Sequence, residues 1–522
     1  MITCKVVNRT KDRKVYTLMD VDGVFLTIKA DVLRKKIRNG ELNVINLTLS
    51  SDGKLILRTE DVAKKSKLIG LVAMIRHKVD TDKILEKAIN IGLRAEKVYS
   101  VTEAYSILIS EGNNHLLYIP DNVIFFNGSI SGDNIAASYK NGVSILEGSL
   151  RNRKGTSYLQ QLKGNLTVIG GEELISAPYM FALCDFNTIN LRYFNTSKIE
   201  NMEGMFYGCK VKSVDLSKFS VKNASNLPFM FANSYFEQGL DVSSFYTDGA
   251  RIMAHMFNGC KSKIRGLTSL SYATAFDFTG MFANTQIDYV TYDLLKDTFK
   301  DEKKMAGMFY NCTAETINFS NGDLSFVSTM KEMFSQCHIK NVNFSGAKFS
   351  YGTNMRRMFE CSYIGTIDFS QITTKYPLIA GSMFNFCIAD NINWSNDKTI
   401  EFKEVFGMFA GTDVKGPLDL SAFETSEVID MRGMFIACRA ESIDVSYFDT
   451  RNVLNMGGMF SSCVVKELDL YSFNARNTPI ENMETMFYNY RGILKAKDDK
   501  VLDVYADRKE EELDISEYYI EG

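Results

Sequence analysis

Histidine is scarce in this sequence, four in 522 residues, and no two cysteines form a Cys-x-x-Cys pair. The usual ligand spacing for zinc is therefore missing, and no metal is expected. Charge of one sign is missing too. The 60 basic and 63 acidic residues leave a net charge of −3, which gives no pull toward nucleic acid or an anionic membrane surface. No stretch approaches about eighteen uncharged apolar residues, so no membrane span is expected. The opening MITCKVVNRTKDRKVY carries charges where a secretory leader needs its apolar region, which reads as a cytoplasmic protein. No Gly-rich phosphate loop, metal cluster or nucleophile motif is found, so no catalytic residue and no cofactor is expected.

What is present is a repeat. Met-Phe pairs begin at Met180, Met205, Met230, Met256, Met281, Met308, Met333, Met358, Met383, Met408, Met434, Met459 and Met486, at separations of 25 to 27 residues. So steady a period predicts a solenoid, each unit burying its inner face against its neighbours. Nine to eleven residues after each Met the chain alternates apolar and polar, as in Ile367-Asp368-Phe369 and Ile443-Asp444-Val445. That pattern predicts a short strand stacked into a parallel sheet. After a corner marked by Ser446 and Phe448, Val453, Met456 and Phe460 recur at three- and four-residue spacings, with Thr450 and Asn452 in place as caps. These predict a short helix, so each unit reads as strand, corner, helix, corner.

The segments LDLSAFETSEVIDMRGMFIAC (418–438) and IDVSYFDTRNVLNMGGMFSSC (443–463) closely resemble the BspA-like leucine-rich repeats of bacteria, over about residues 165–490. The resemblance implies an α/β solenoid: a leucine-rich-repeat-like right-handed coil with a parallel sheet on one side. It also implies surface adhesion, from which the missing leader departs.

Nine cysteines lie three or four residues after a repeat Met: Cys184, Cys209, Cys260, Cys312, Cys337, Cys361, Cys387, Cys438 and Cys463. Elsewhere the slot holds Asn233 or Ser234, Thr285, Thr412 and Tyr490. A ligand set would not vary so freely, so a ladder of free thiols filling the interior is expected. His338 follows Cys337 directly, but sequence neighbours on a corner point apart, and no catalytic pair is read there.

The middle strand position forms a polar column expected to face solvent, and a protein partner is expected to bind there or on the N-terminal domain. Its candidate partner-binding residues are Asp215, Asp241, Asn318, Asn343, Asp368, Asn393, Asp419, Asp444 and Asp469. Charge reversal at Asp368, Asp419 and Asp444 is expected to weaken capture while leaving the melting point nearly unchanged. Units 256–308 lose the pattern, and TYDLLKDTFKDEKK inserts charge there.

Residues 1–160 read as a small α+β capping domain, 161–490 as the solenoid of about 13 repeats, and 491–522 as a C-terminal cap and acidic tail. In the first, strands alternate with Asp22-Gly23 and Asp52-Gly53 turns, and Asp31 caps a helix Val32 to Arg38 closed by Gly40. DVDG at 20–23 lacks the later ligands of a calcium loop. Residues 81–112 read as two helical pieces capped by Thr81 and Thr102 and stopped by Gly92 and Gly112. HLLYIP and NVIFFNG return to strand, and Val501 to Tyr505 reads as a last strand. The composite reading is a non-enzymatic protein-binding repeat protein inside a bacterial or phage-infected cell, such as a phage or mobile-element inhibitor. The alternatives are a BspA-like surface adhesin, or an enzyme with its site in residues 1–160.

Overall fold

The fold is a computed structural model, and the structure describes residues 2–20, 25–45, 47–52, 54–57, 71, 81–99, 105–119, 159–271, 274–291, 302–349, 352–394 and 400–508. The turns at Asp22-Gly23 and Gly53, the Thr102 cap, the NVIFFNG strand, residues 292–301 of the charged insertion and the acidic tail from 509 lie outside the described residues. The protein is a parallel-sheet β-solenoid of about twelve turns. Its chain divides into two compact units.

The first unit comprises Met1–Ser225, Asn233–Tyr246 and Ile264–Gly266. Strands β1 (Ile2–Arg9), β2 (Val15–Asp20), β3 (Phe25–Lys29) and β4 (Leu42–Val44) form a sheet in the order β3-β2-β1-β4. It closes over buried Cys4, Tyr16, Leu18 and Leu33. The helix is Ala30–Arg38, begun two residues before the expected Val32, and its N-cap is Lys29. Asp31 sits in the first turn and supplies charge to the helix N-terminus, not a cap. Helix Thr81–Asn90 ends at Gly92, φ 76°, where the Leu93 N–H bonds the Ala88 carbonyl and the Gly92 N–H that of Ile89.

The second expected helix is a strand. After the hairpin β5 (Leu47–Leu49) and β6 (Leu55–Leu57), strands β7 (Arg94–Tyr99), β8 (Tyr105–Glu111) and β9 (Asn114–Ile119) pair antiparallel. Buried Ile107, Leu108 and Ile109 are consecutive, a pattern that suits a strand covered on both faces better than a helix. The same sheet then turns parallel, through β10 (Asn165–Gly170), β11 (Asp185–Phe194), β12 (Lys210–Asp215) and β13 (Tyr235–Phe236).

The second unit comprises Asn226–Ala232, Thr247–Lys263 and Leu267–Gly522. Strands Gln286–Thr291, Thr313–Asn318, His338–Asn343, Tyr363–Asp368, Ile388–Asn393 and Asp413–Val414 lie side by side in a six-stranded parallel sheet. Thr313, His338, Tyr363, Ile388 and Asp413 are in register. Inside, one phenylalanine per coil stacks on the next from Phe231 to Phe487, with ring centroids 5.1–6.0 Å apart and planes within 11°. A second stack, Phe319, Phe344, Phe369 and Trp394, meets the first edge-on, for example Phe359 against Phe369 at 87°. Rings in offset stacks and T-shaped pairs satisfy the aromatic quadrupole as well as the packing.

The coils carry no α-helix at the Met-Phe segment, which corrects the α/β, leucine-rich-repeat-like reading. Val453, Met456 and Phe460 are fully buried, yet Gly458 and Ser462 have φ of 63° and 53°. A left-handed residue every fourth position breaks the run of helical dihedrals. The N–H groups of Met459, Ser461 and Cys463 close on carbonyls three residues back, whereas those of Met456, Phe460 and Ser462 donate to Asn482, Met486 and Tyr488 of the next coil. An α-helix would keep all of these bonds within itself. The expected caps serve the stack instead. Buried Thr450 donates through Oγ1 to the Asn474 carbonyl (3.2 Å) and accepts the Asn474 N–H (2.7 Å), and Asn452 Nδ2 donates to the Ser426 carbonyl.

The C-terminus also differs from expectation. The last strand is Ile493–Ala496, paired parallel with Glu467–Leu470, and Val501 to Tyr505 lies in helix Asp499–Ala506. Asp498 caps it by accepting the Val501 N–H. Buried Val501 and Val504 are three apart, a helical spacing. Tyr505 meets Phe487 edge-on at 89° and so ends the ring stack.

Candidate functional site

The six-stranded sheet presents three columns of residues in register. The first runs Thr313, His338, Tyr363, Ile388, Asp413, and the third runs Glu315, Lys340, Gly365, Asp390, Lys415. Between them Ala314, Ile339, Ile364, Ala389 and Val414 point into the core. Tyr363 and Ile388 are 41% and 45% exposed although apolar, and Tyr363 stacks on His338 at 4.9 Å and 9°. Lys340 Nζ donates to Glu315 Oε1 at 2.7 Å, and Lys415 pairs with Asp390. Each carboxylate holds its lysine above the ordinary range, first through the hydrogen bond and then through charge. At Gly365 a Cβ would stand 2.5 Å from the Lys340 carbonyl oxygen, so only glycine fits. The charged column therefore has a gap at its centre. A groove of about 710 Å³ runs over this surface, lined by Thr313, His338, Tyr363, Lys340, Gly365 and Asp390 among others.

The Asp and Asn column lies at the strand ends, and its side chains are engaged with the backbone. Oδ1 of Asp215, Asp241, Asn318, Asn343, Asp368, Asp419, Asp444 and Asp469 each accepts the N–H two residues on, at 2.8–3.1 Å. Asn393 Nδ2 donates across to Asp368 Oδ1 at 3.2 Å. These bonds turn the chain out of the strand. The Ser243 hydroxyl and N–H together hold the Asp241 carboxyl below its usual range. Asn318, Asn343, Asp368 and Asn393 pair in register on successive strands, and Asp419 pairs with Asp444 in a separate short ladder. Removing one such acceptor costs about 1 kcal/mol, so charge reversal at Asp368, Asp419 and Asp444 is expected to lower the melting point, contrary to the reading from sequence. That reading gave His338 no part in binding and passed over Tyr363, Ile388 and the two ion pairs. The signal for His338, Tyr363 and Ile388 was present in the residue that opens each strand, five after the Met.

All ten cysteines are free thiols, and nine are buried. The interior slot is shared by small donors. Cys209 and Cys337 donate through Sγ to the carbonyls of Phe181 and Phe309 one coil back, and Ser362 and Thr412 do the same to Phe334 and Phe384. This explains why Ser and Thr replace Cys. Cys361 does not belong to the ladder: Ser362 fills the slot, and Cys361 is exposed at a left-handed corner, φ 53°. Burial pushes the thiols of Cys209, Cys312 and Cys463 up to about 12, and a protonated, buried thiol is a poor nucleophile. With an aromatic disulfide reagent at pH 8, the native protein is expected to release one rapid equivalent, which Cys361→Ser abolishes. Two or more rapid equivalents in the native state would refute the assignment.

Stacked parallel coils, a filled aromatic interior and an exposed patterned sheet define a β-solenoid repeat protein. The chain belongs to the family described as "Mycoplasma protein of unknown function, DUF285", whose model matches residues 176–291, 303–416 and 403–498. No curated protein and no solved structure matches it.

Proposed function

We propose that this chain is a non-enzymatic binding protein that holds a protein partner on its six-stranded sheet face. The observation that carries the reading is the exposed, in-register set His338, Tyr363 and Ile388 beside the Glu315–Lys340 and Asp390–Lys415 pairs. Apolar and aromatic side chains rimmed by charge are the composition of protein interfaces, and a stack of coils supplies a rigid platform for them. Asn318, Asn343, Asp368 and Asn393 border the same face at the strand ends and contribute its outer polar rim. A reducing setting suits the reading, because Cys312 and Cys337 neighbour one another unbridged in successive coils.

The second reading, a surface adhesin of the BspA-like leucine-rich-repeat type, is favoured by the wording of segments 418–438 and 443–463. Both readings place recognition on the coils and differ in where the protein works. The test is affinity purification of the tagged protein from its native cells, beside a Tyr363→Ser/Ile388→Ser variant. A specific partner recovered by the wild type and lost by a variant of unchanged melting point is the expected result. Undiminished recovery by the variant would remove the sheet face from the proposal.

A further inference from the structure

We infer that the groove lined by residues between Gln286 and Asp390 takes a polyproline-II segment of the partner, bearing one acidic and one basic side chain three residues apart; this rests on the protein-binding reading above. The argument begins with the charged wall. From coil to coil it runs Glu315, Lys340, Gly365, Asp390, Lys415, so that its signs read minus, plus, gap, minus, plus. On their outer sides Lys340 and Asp390 are satisfied by Glu315 and Lys415. On their inner sides they face each other across the gap, with side chains 67% and 47% exposed. An incoming carboxylate therefore has a cation to meet at one edge of the gap, and an incoming cation has a carboxylate at the other.

Spacing selects the conformation. Lys340 and Asp390 stand two strands apart, and parallel strands are about 4.8 Å apart, which sets the backbone positions of the two residues about 9.6 Å from each other. A polyproline-II chain advances about 3.1 Å per residue with three residues per turn, so residues i and i+3 share a face about 9.3 Å apart. In a β-strand the nearest same-face pairs lie about 6.7 or 13 Å apart, and neither matches.

The opposite wall agrees with this choice. His338, Tyr363 and Ile388 offer the stacked rings and flat apolar surface on which polyproline-II ligands dock. With the charged face of the segment over the gap, its next face lies against Tyr363 and Ile388 and its third faces water.

The experiment uses the full chain and two fluorescein-labelled hexapeptides read by anisotropy. In Pro-Glu-Pro-Pro-Lys-Pro the charges are three apart; in Pro-Glu-Pro-Lys-Pro-Pro they are two apart. Two exposed ion pairs together are worth about a tenfold change in affinity, so the first peptide is expected to bind about tenfold more tightly. That margin should vanish in Lys340→Gln/Asp390→Asn, and Tyr363→Ala should weaken both peptides. Equal affinity for the two peptides, no binding of either at millimolar concentration, or indifference to the double substitution would each overturn the inference. If the peptides fail while the Tyr363→Ser/Ile388→Ser variant still loses its cellular partner, the inference falls and the protein-binding reading stands.

Discussion

Phe359→Ala is expected to destabilise the second unit by about 4 kcal/mol, the middle of the usual range for truncating a buried phenylalanine. The ring is fully buried, stacks at 5.2 Å on both Phe334 and Phe384, and meets Phe369 edge-on at 6.1 Å. Its removal leaves a void bounded by three other rings on coils that cannot close up, because their spacing is fixed by backbone bonds such as Phe359 N–H to the Met383 carbonyl. Phe359→Leu keeps most of the volume and is expected to cost about half as much. Urea denaturation gives the totals, and hydrogen exchange over residues 330–390 localises the loss, since each coil leans on its neighbours. A change below about 1 kcal/mol would mean that the stack is ornament to a core held elsewhere.

The second large effect depends on pH. Glu203 is buried, and its Oε1 accepts a hydrogen bond from the Tyr179 hydroxyl at 3.0 Å. Burial pushes its carboxyl up to about 7, against the lowering influence of that bond. The unfolded value is about 4.3, so between these limits the folded chain keeps a proton that the unfolded chain has released. Stability is therefore greatest below the unfolded pKa, declines as pH rises through the window, and the loss is complete above the folded pKa. The whole decline is on the order of 3 kcal/mol. Glu203→Gln retains an acceptor for Tyr179 without a charge to bury. It is expected to remove this decline between about pH 4 and 7 and to raise the melting point of the first unit at pH 8. Parallel pH profiles for the two proteins would show that Glu203 does not titrate in the fold.

The coil was legible in the sequence because stacking makes one demand repeatedly: Met459, Phe460 and Cys463 recur where each turn needs the same interior filling. The local path was not legible from burial. Val453, Met456 and Phe460 are inward at three- and four-residue spacings whether the chain forms a helix or a chain of left-handed turns. The distinguishing signal lay in the glycines placed directly before Met-Phe, among them Gly204, Gly280, Gly307, Gly407, Gly433 and Gly458, all with positive φ. Their backbone freedom, without a Cβ, is what the path requires. Cys361 was misassigned by a single position, since only the structure shows that Ser362 turns inward. Of the polar column, Asn318, Asn343, Asp368 and Asn393 stand in register on successive strands. Its bonds to the next N–H but one are a property of the corner, which periodicity does not describe. The sheet face with Tyr363 and Ile388 was missed because one exposed apolar residue per strand carries no meaning until the register sets three side by side.

That register, a steady 25 residues from His338 to Tyr363 to Ile388, makes coil number a quantity that recombination can alter. Excision of residues 363–387 would bring His338 beside Ile388 with every inter-coil donor facing an acceptor of the same kind. The shortened gene product would also lack Gly365. Lys340 would then adjoin Asp390, the break in the charges would heal into uninterrupted alternation, and, under the proposed binding role, a change in copy number would act as a change in specificity.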